Sequence, residues 1–254
     1  MHALLLSAGL GTRLRPVTNT IPKCLVPIAG RPLMSYWLEL LFANGVERVL
    51  INTHYMAEKV QEYVANCPWH DRITLVHEDE LLGTGGTVLN NEQFFGAKTF
   101  FVAHADNLVS FDFAGFCNAH HNSNKYNQTP ITMMTFETDT PQACGIVESD
   151  ENDIVIAFHE KVAHPPGKRA NGAIYIFEPD ILEFLKSLNK DVIDISTEVL
   201  PLFMGRIATY HNDIYLRDIG TVKSLKQAEY DVQNGLYDTN KYNTELRGQN
   251  YAIR

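Results

Sequence analysis

The run Leu4-Leu5-Leu6-Ser7-Ala8-Gly9-Leu10-Gly11-Thr12-Arg13-Leu14-Arg15-Pro16 carries an apolar segment into a Gly-x-Gly turn and then into two guanidinium groups. Glycines at such a turn let backbone N–H groups approach a phosphate. Two familiar phosphate fingerprints are excluded. The dinucleotide pattern needs glycine at position 14, where Leu14 stands, and an acid about twenty residues on. The first carboxylate in the chain is Glu39. The Walker A pattern needs Gly-Lys-Ser/Thr, and Gly-Thr-Arg stands there instead. Residues 1–38 hold Arg13, Arg15, Lys23 and Arg31 and no acid, so this segment carries +4 while the remainder carries −13. Basic residues beside a glycine turn, on an otherwise acidic chain, point to a small anionic ligand.

These groups need a frame, and the hydrophobic pattern supplies one. His2–Ser7 is a short apolar run stopped by glycine and reads as a strand buried on both faces. Pro32–Asn44 places Leu33, Met34, Trp37, Leu38 and Leu41 at helical spacing and ends at Asn44-Gly45. Arg48–Thr53, Ile73–His77 and Thr99–Ala103 read as strands, with helices over Ala57–Ala65 and Gly86–Phe95 between them. This alternation predicts a parallel sheet with helices on both faces. Ligand groups in such a sheet collect at the carboxyl ends of its strands, and Asp106 follows the fourth of these. Past residue 110 the rhythm loosens. The pattern there predicts a helix over Phe111–His121, strands over Ile131–Phe136, Ile146–Glu148, Ile154–Phe158 and Ala173–Phe177, and a helix opened by Glu178-Pro179. Ser196–Phe203 reads as a helix interrupted by Pro201, Ile207–Tyr210 and Ile214–Leu216 as strands, and Thr221–Asn234 as an amphipathic helix. No repeat or linker divides the chain. One α/β unit over 1–234 is expected, followed by a polar tail at 235–254.

The compound pattern is specific. Gly9-Leu10-Gly11-Thr12-Arg13, then Pro22-Lys23-Cys24-Leu25-Val26-Pro27, then Gly30-Arg31-Pro32-Leu33 opening a helix, resembles the signature of the nucleotidyltransferases that activate sugar 1-phosphates. The resemblance implies a three-layer α/β/α Rossmann-like fold with a mixed, mainly parallel central sheet. It implies a nucleotide-binding half over 1–110 and a sugar-phosphate half over 111–234. The implied reaction joins an NTP and a sugar 1-phosphate into an NDP-sugar, releasing pyrophosphate, with Mg²⁺ as cofactor. Leu6, Ala8, Gly9, Gly11 and Thr12 would contact the nucleotide. Arg13 offers a bidentate fork to the β- and γ-phosphates, and Lys23 a point charge for the α-phosphate. Glu78, five residues before Gly83, would read the base, with Gly83 and Thr84 against the nucleoside. Asp106, in His104-Ala105-Asp106-Asn107, and Asp218, in Arg217-Asp218-Ile219-Gly220-Thr221, would hold the metal. In the sugar half the resemblance assigns Gly145, Glu160 and Asn171 to the sugar and Lys161 to its phosphate. The bland alternatives are a turn or helix cap for Asp106 and Asp218, and solvated or structural roles for Arg15 and Arg31.

A carboxylate at Glu78 can accept the adjacent N1–H and N2–H₂ of guanine together, whereas uracil offers a single N3–H. GTP with a mannose- or heptose-type 1-phosphate is therefore the leading expectation. A uridylyltransferase for a hexose or amino-sugar acid is the alternative, and a cytidylyltransferase using phosphocholine is a third use of the scaffold. A catalytically silent nucleotide-binding module is the alternative of another class, disfavoured because Arg13, Lys23, Asp106, Lys161 and Asp218 are all present.

The chain has 254 residues, 45% hydrophobic and 20% charged, with net charge −9. That balance argues against general nucleic-acid or anionic-membrane binding, and no apolar window is long enough for a membrane span. The N-terminus has no basic n-region, so no signal peptide is expected. Four cysteines without C-x-x-C spacing and ten scattered histidines suggest neither a disulfide framework nor a zinc site. A reduced, cytoplasmic protein is expected, and a homodimer is left open.

Overall fold

A computed structural model describes residues 1–237, so residues 238–254 of the expected tail lie outside the described part. Its elements in chain order are β1 (His2–Leu6), β2 (Pro27–Ile28), β3 (Arg31–Pro32), α1 (Leu33–Ala43), β4 (Arg48–Thr53), α2 (Ala57–Ala65), β5 (Ile73–His77), α3 (Gly83–Asn90), α4 (Glu92–Phe95) and β6 (Phe100–His104). They continue with β7 (Asn107–Ser110), α5 (Phe113–Asn127), β8 (Ile131–Glu137), β9 (Gly145–Ser149), β10 (Val155–Glu160), β11 (Arg169–Phe177), α6 (Asp180–Ser187), β12 (Ile207–His211), β13 (Tyr215–Asp218) and α7 (Val222–Gln233). The main sheet runs β10-β9-β11-β6-β1-β4-β5, and β8 pairs with β11 and carries β12 on its other edge. The β6-β1-β4-β5 portion is parallel throughout, as the alternating pattern predicted. Antiparallel β11 marks the passage to the second half.

Strand side chains divide strictly between two cores. Ala3, Leu5, Val49, Ile51, Phe101, Ala103, Ile174 and Ile176 face one, packed with Trp37, Leu38 and Leu41 of α1 and Val60 and Val64 of α2. Leu4, Leu50, Phe100, Val102, Tyr175 and Phe177 face the other, packed with Val88 of α3 and Ile181, Leu182 and Leu185 of α6. The side-chain period of two sends successive residues to opposite faces, and helices on both faces bury both sets. That is why these strands read as unbroken apolar runs.

Two expectations change. Ser196–Phe203 is a π turn (Ile195–Val199) followed by a 3₁₀ turn (Leu200–Phe203), because Pro201 has no N–H to continue a helix. The helix expected over Gly86–Phe95 begins at Gly83 and divides at Asn91 into α3 and α4. A third, smaller core of Leu14, Val26, Ile28, Leu33, Tyr36, Leu108, Ile219 and Leu225 backs the loop after β1. Tyr237, in the first residues of the expected tail, joins it and donates its hydroxyl to Val109 O. None of the described helices is long and apolar enough to cross a membrane.

Candidate active site

A cleft opens at the carboxyl ends of β1, β4, β5 and β6. Of the residues expected there, Leu6, Ala8, Gly9, Lys23, Glu78, Gly83, Thr84 and Asp106 line it. Gly11 and Thr12 lie in the adjoining loop, where Gly11 sits at φ +61° and its carbonyl accepts from Leu14 N and Thr18 Oγ1. Leu14 is fully buried and anchors this loop, leaving Arg13 68% exposed.

Lys23 follows Pro22 in a 3₁₀ turn and is buried. Its Nζ donates to Asp106 Oδ2 at 2.7 Å and to Asp218 Oδ1 at 2.9 Å. Arg13 Nη2 stands 3.9 Å from Asp218 Oδ2. The two aspartates meet because β7 and β13 form a two-stranded antiparallel ribbon that sets Asp218 opposite Asn107. Ile219 N also donates to Asp106 O, and Trp37 Nε1 to Asn107 O. Neither aspartate is a helix cap: Asp112 caps α5, and Thr221 caps α7 in a reciprocal box with Ser224. Burial is the largest single influence on Lys23 and opposes its charge, but the combined pull of Asp106 and Asp218 holds its ammonium above the ordinary range. Burial likewise opposes the Asp106 carboxylate, and Lys23 and His104 together keep it below the ordinary range. Among the described residues no three His, Cys, Asp or Glu side chains converge as a metal cluster. Asp106 and Asp218 do converge, on the Lys23 ammonium. Two carboxylates on one point, open to further oxygens from a phosphate, are a suitable donor set for a hard divalent cation.

Glu78 is buried and belongs to a hydrogen-bonded chain that the sequence did not disclose. Ser7 N donates to Asn52 Oδ1, and Asn52 Nδ2 donates to Glu78 Oε1 at 2.9 Å. Thr87 Oγ1 donates to the same Oε1 at 2.6 Å, while Leu82 N approaches Oε2 at 3.3 Å. Oε1 is thus saturated and Oε2 retains acceptor capacity. A polar residue one before the end of the apolar strand Arg48–Thr53 was the available signal for Asn52; Ser7 and Thr87 carried none. The glycine segment packs against backbone: Gly85 N and Gly86 N donate to Ile193 O, and Ile195 N donates to Thr84 Oγ1. A Cβ at Gly83, which sits at φ +71°, would stand 2.5 Å from Ile193 O.

Gly145, Glu160 and Asn171 lie on the neighbouring strands β9, β10 and β11, outside the residues that line the cleft. Glu160 pairs with Gly145, Ala170 pairs with Ile146, and Ile174 pairs with Ala103 near the end of β6. Lys161 follows at φ +49°, its Nζ 2.6 Å from Glu160 Oε1. Asn171 already uses its amide: Nδ2 donates to Tyr175 OH and Oδ1 accepts from Ala173 N. Asn107 Nδ2 donates to Gly172 O, joining the Asp106 turn to β11. Arg31 pairs with Glu39 and stacks on Tyr36, a structural role. Burial pushes the Cys24 thiol up to about 12, so this cleft-lining cysteine is held as a thiol.

A nucleotidyl transferase family model matches residues 2–235. The chain is 30% identical over 241 residues to the mannose-1-phosphate guanylyltransferase of Mycobacterium tuberculosis, covering 93% of this chain and 66% of that protein, just under two thirds of its length. It is 31% identical over 181 residues to the D-glycero-alpha-D-manno-heptose 1-phosphate guanylyltransferase of Campylobacter jejuni, covering 71% of this chain and 77% of that one. The crystal structure of HddC from Yersinia pseudotuberculosis complexed with GMP-PN superposes with TM-score 0.75 at 25% identity, covering 91% of this chain and 99% of that chain. Since that family model spans nearly the whole described chain, the chain belongs to the nucleotidyl transferase family.

Proposed function

We propose that the chain transfers a nucleotidyl group from an NTP to a sugar 1-phosphate, with GTP and a mannose- or heptose-type 1-phosphate as the preferred pair. The observation that carries this reading is the meeting of Lys23 with Asp106 and Asp218, which are 83 and 195 residues away in sequence, at the mouth of a cleft lined by a glycine turn. A phosphate oxygen of the sugar phosphate attacks the α-phosphorus in line, one P–O bond forms, and the bond to the β-phosphate oxygen breaks to release pyrophosphate. That oxygen is ionised near neutral pH, so no general base is required. Catalysis is then positioning and charge neutralisation.

Leu6, Ala8, Gly9 and Gly11 let the nucleotide approach the backbone, and Thr12 and Arg13 follow it toward the terminal phosphates. Arg13 neutralises charge on the departing pyrophosphate, Lys23 orients the α-phosphate, and Lys161 holds the sugar phosphate. Gly145, Glu160 and Asn171 border the sugar. Asp106 and Asp218 would hold Mg²⁺, which supplies positive charge to the phosphate oxygens when bound.

A uridylyltransferase is the second reading, favoured by one observation at Glu78. Paired recognition of guanine needs an acceptor on each carboxylate oxygen, and Oε1 is already occupied by Asn52 and Thr87. A single free acceptor suits a single N–H. A Mg²⁺-dependent pyrophosphate-release assay crossing four NTPs with a panel of sugar 1-phosphates tests both readings. GTP is expected to lead, in line with the mannose- and heptose-1-phosphate guanylyltransferases to which the chain is similar. A wide margin for UTP would replace the first reading with the second, and no release with any pair would leave a nucleotide-binding module.

A further inference from the structure

Lys23 has a second property that its expected contact with the α-phosphate does not require. Its ammonium sits between the two carboxylates assigned to the metal, with the side chain only 10% exposed, and it uses two of its three donors on them. Both bonds have the short lengths of charge-assisted hydrogen bonds. With Arg13 beside Asp218, two positive and two negative groups already balance one another. A divalent cation drawn to Asp106 and Asp218 would compete with this ammonium for the same two carboxylates, and like-charge repulsion opposes its sharing them.

We infer that Lys23 is a resident counter-cation for the metal site: it holds Asp106 and Asp218 together in the nucleotide-free protein, and it must leave them before a divalent ion can enter. The inference rests on the assignment of these aspartates to the metal. Lys23 lines the same cleft as Ala8 and Gly9, so a bound triphosphate offers its ammonium a new anionic partner within the site. Metal and nucleotide binding are thereby coupled through one side chain. Without nucleotide, the metal competes with Lys23 and binds poorly. With nucleotide, Lys23 has somewhere to go, and the vacated carboxylates take the ion. The coupling is reciprocal, as linkage demands.

The test uses the full chain and Mn²⁺ alone as the probe, with free Mn²⁺ measured by electron paramagnetic resonance in the absence of nucleotide. Lys23→Met removes the ammonium and keeps the chain length, so Mn²⁺ affinity should rise at least tenfold over wild type. Lys23→Arg keeps a cation there and should bind Mn²⁺ as weakly as wild type. The melting temperature of Lys23→Met should fall in metal-free buffer and recover on adding Mn²⁺. Lys23→Gln replaces Lys23→Met if the latter does not fold. Equal Mn²⁺ affinity in wild type and the neutral variant would overturn the exchange. The metal assignment is tested separately by Asp106→Asn. If that change leaves the tight Mn²⁺ binding of Lys23→Met intact, the ion lies elsewhere and the assignment itself falls. If Asp106→Asn abolishes Mn²⁺ uptake with a non-reacting GTP analogue, while Lys23→Met binds no more tightly than wild type, the assignment stands and the exchange alone is refuted.

Discussion

Replacing Arg13 by alanine separates catalysis from folding more sharply than any other change at the cleft. The guanidinium is 68% exposed, and its ionic neighbour, Asp218, is 48% exposed at 3.9 Å. Exposed pairs contribute about 0–1 kcal/mol to stability. For a protein of this size about 1 kcal/mol moves Tm by roughly 2–4 °C. The loop does not depend on Arg13 for its shape, because Leu14 is buried beside it and Gly11 O accepts from Leu14 N and Thr18 Oγ1. Arg13→Ala should therefore melt within about 4 °C of wild type. Its turnover should suffer far more. Removing one group that meets charge as it develops in a transition state lowers kcat by about 10²–10³. Arg13→Lys should recover only part of this, since a point charge cannot reproduce a bidentate fork. Steady-state pyrophosphate release at saturating substrates gives kcat, and the same series below saturation gives KM. A raised KM with unchanged kcat would mean that Arg13 binds ground and transition states alike. A kcat within threefold of wild type, or a fall in Tm beyond about 10 °C, would refute the reasoning.

Other outcomes follow from the same geometry. Gly83→Ala combines a left-handed backbone with a Cβ 2.5 Å from Ile193 O. It should lose about 2–4 kcal/mol in chemical denaturation, while Gly9→Ala, which meets nothing within 4 Å, should unfold like wild type but bind NTP more weakly; equal stability of the two variants would contradict this. Glu78→Gln can keep an oxygen toward Asn52 and Thr87 but then puts a donor where Leu82 N donates and where a base would be read, so the GTP-to-UTP ratio of kcat/KM should change by about tenfold or more, and an unchanged ratio would remove Glu78 from base recognition. Burial, reinforced by His121, lowers the pKa of His120 against the opposing pull of Glu178. The unfolded imidazole takes its proton near pH 6.5 while the folded one resists, so stability is full above that pH and declines as pH falls below it. Tm measured from pH 8 to pH 5 should fall less steeply for His120→Gln than for wild type, and parallel curves would exclude His120 as the source.

The parts of this fold that were legible in the sequence are those whose side chains are buried on a regular period. Arg48–Thr53, Ile73–His77 and Ala57–Ala65 coincide with β4, β5 and α2, because burial on both faces of a strand, or on one face of a helix, writes itself into the residue order. The helix expected over Phe111–His121 runs instead over Phe113–Asn127. Its last turns are polar and largely exposed, so they show no apolar period. Three glycines concealed the start of α3, since glycine disfavours helix; contacts to Ile193 override that preference. The strand expected over Ile214–Leu216 overlaps β13, but β7 and its pairing with β13 were invisible for a different reason. Each strand is four residues long, and their pairing spans more than a hundred residues. The same holds for the Ser7–Asn52–Glu78–Thr87 chain, whose members look unremarkable one at a time. Motif order could name Glu78 but could not count the donors already on it.

The basic N-terminal segment is a case where composition gave the sign correctly and the meaning incompletely. A linear count finds +4 with no acid nearby in sequence, which reads as an open positive patch awaiting an anion. In the folded chain Lys23 meets Asp106 and Asp218, Arg31 meets Glu39, and Arg13 stands near Asp218. The sugar edge repeats the arrangement, with Lys161 on Glu160. Such pairing has a physical reason. Arg13 and Lys23 held near one another without counter-charges would repel before any ligand arrived, and a buried ammonium without a partner would be driven to lose its proton. Carboxylates supplied from remote strands let the cations be charged and positioned in advance. On the proposed reading, an arriving phosphate would exchange with a carboxylate already in place, so the field it meets would be preorganised rather than assembled on binding.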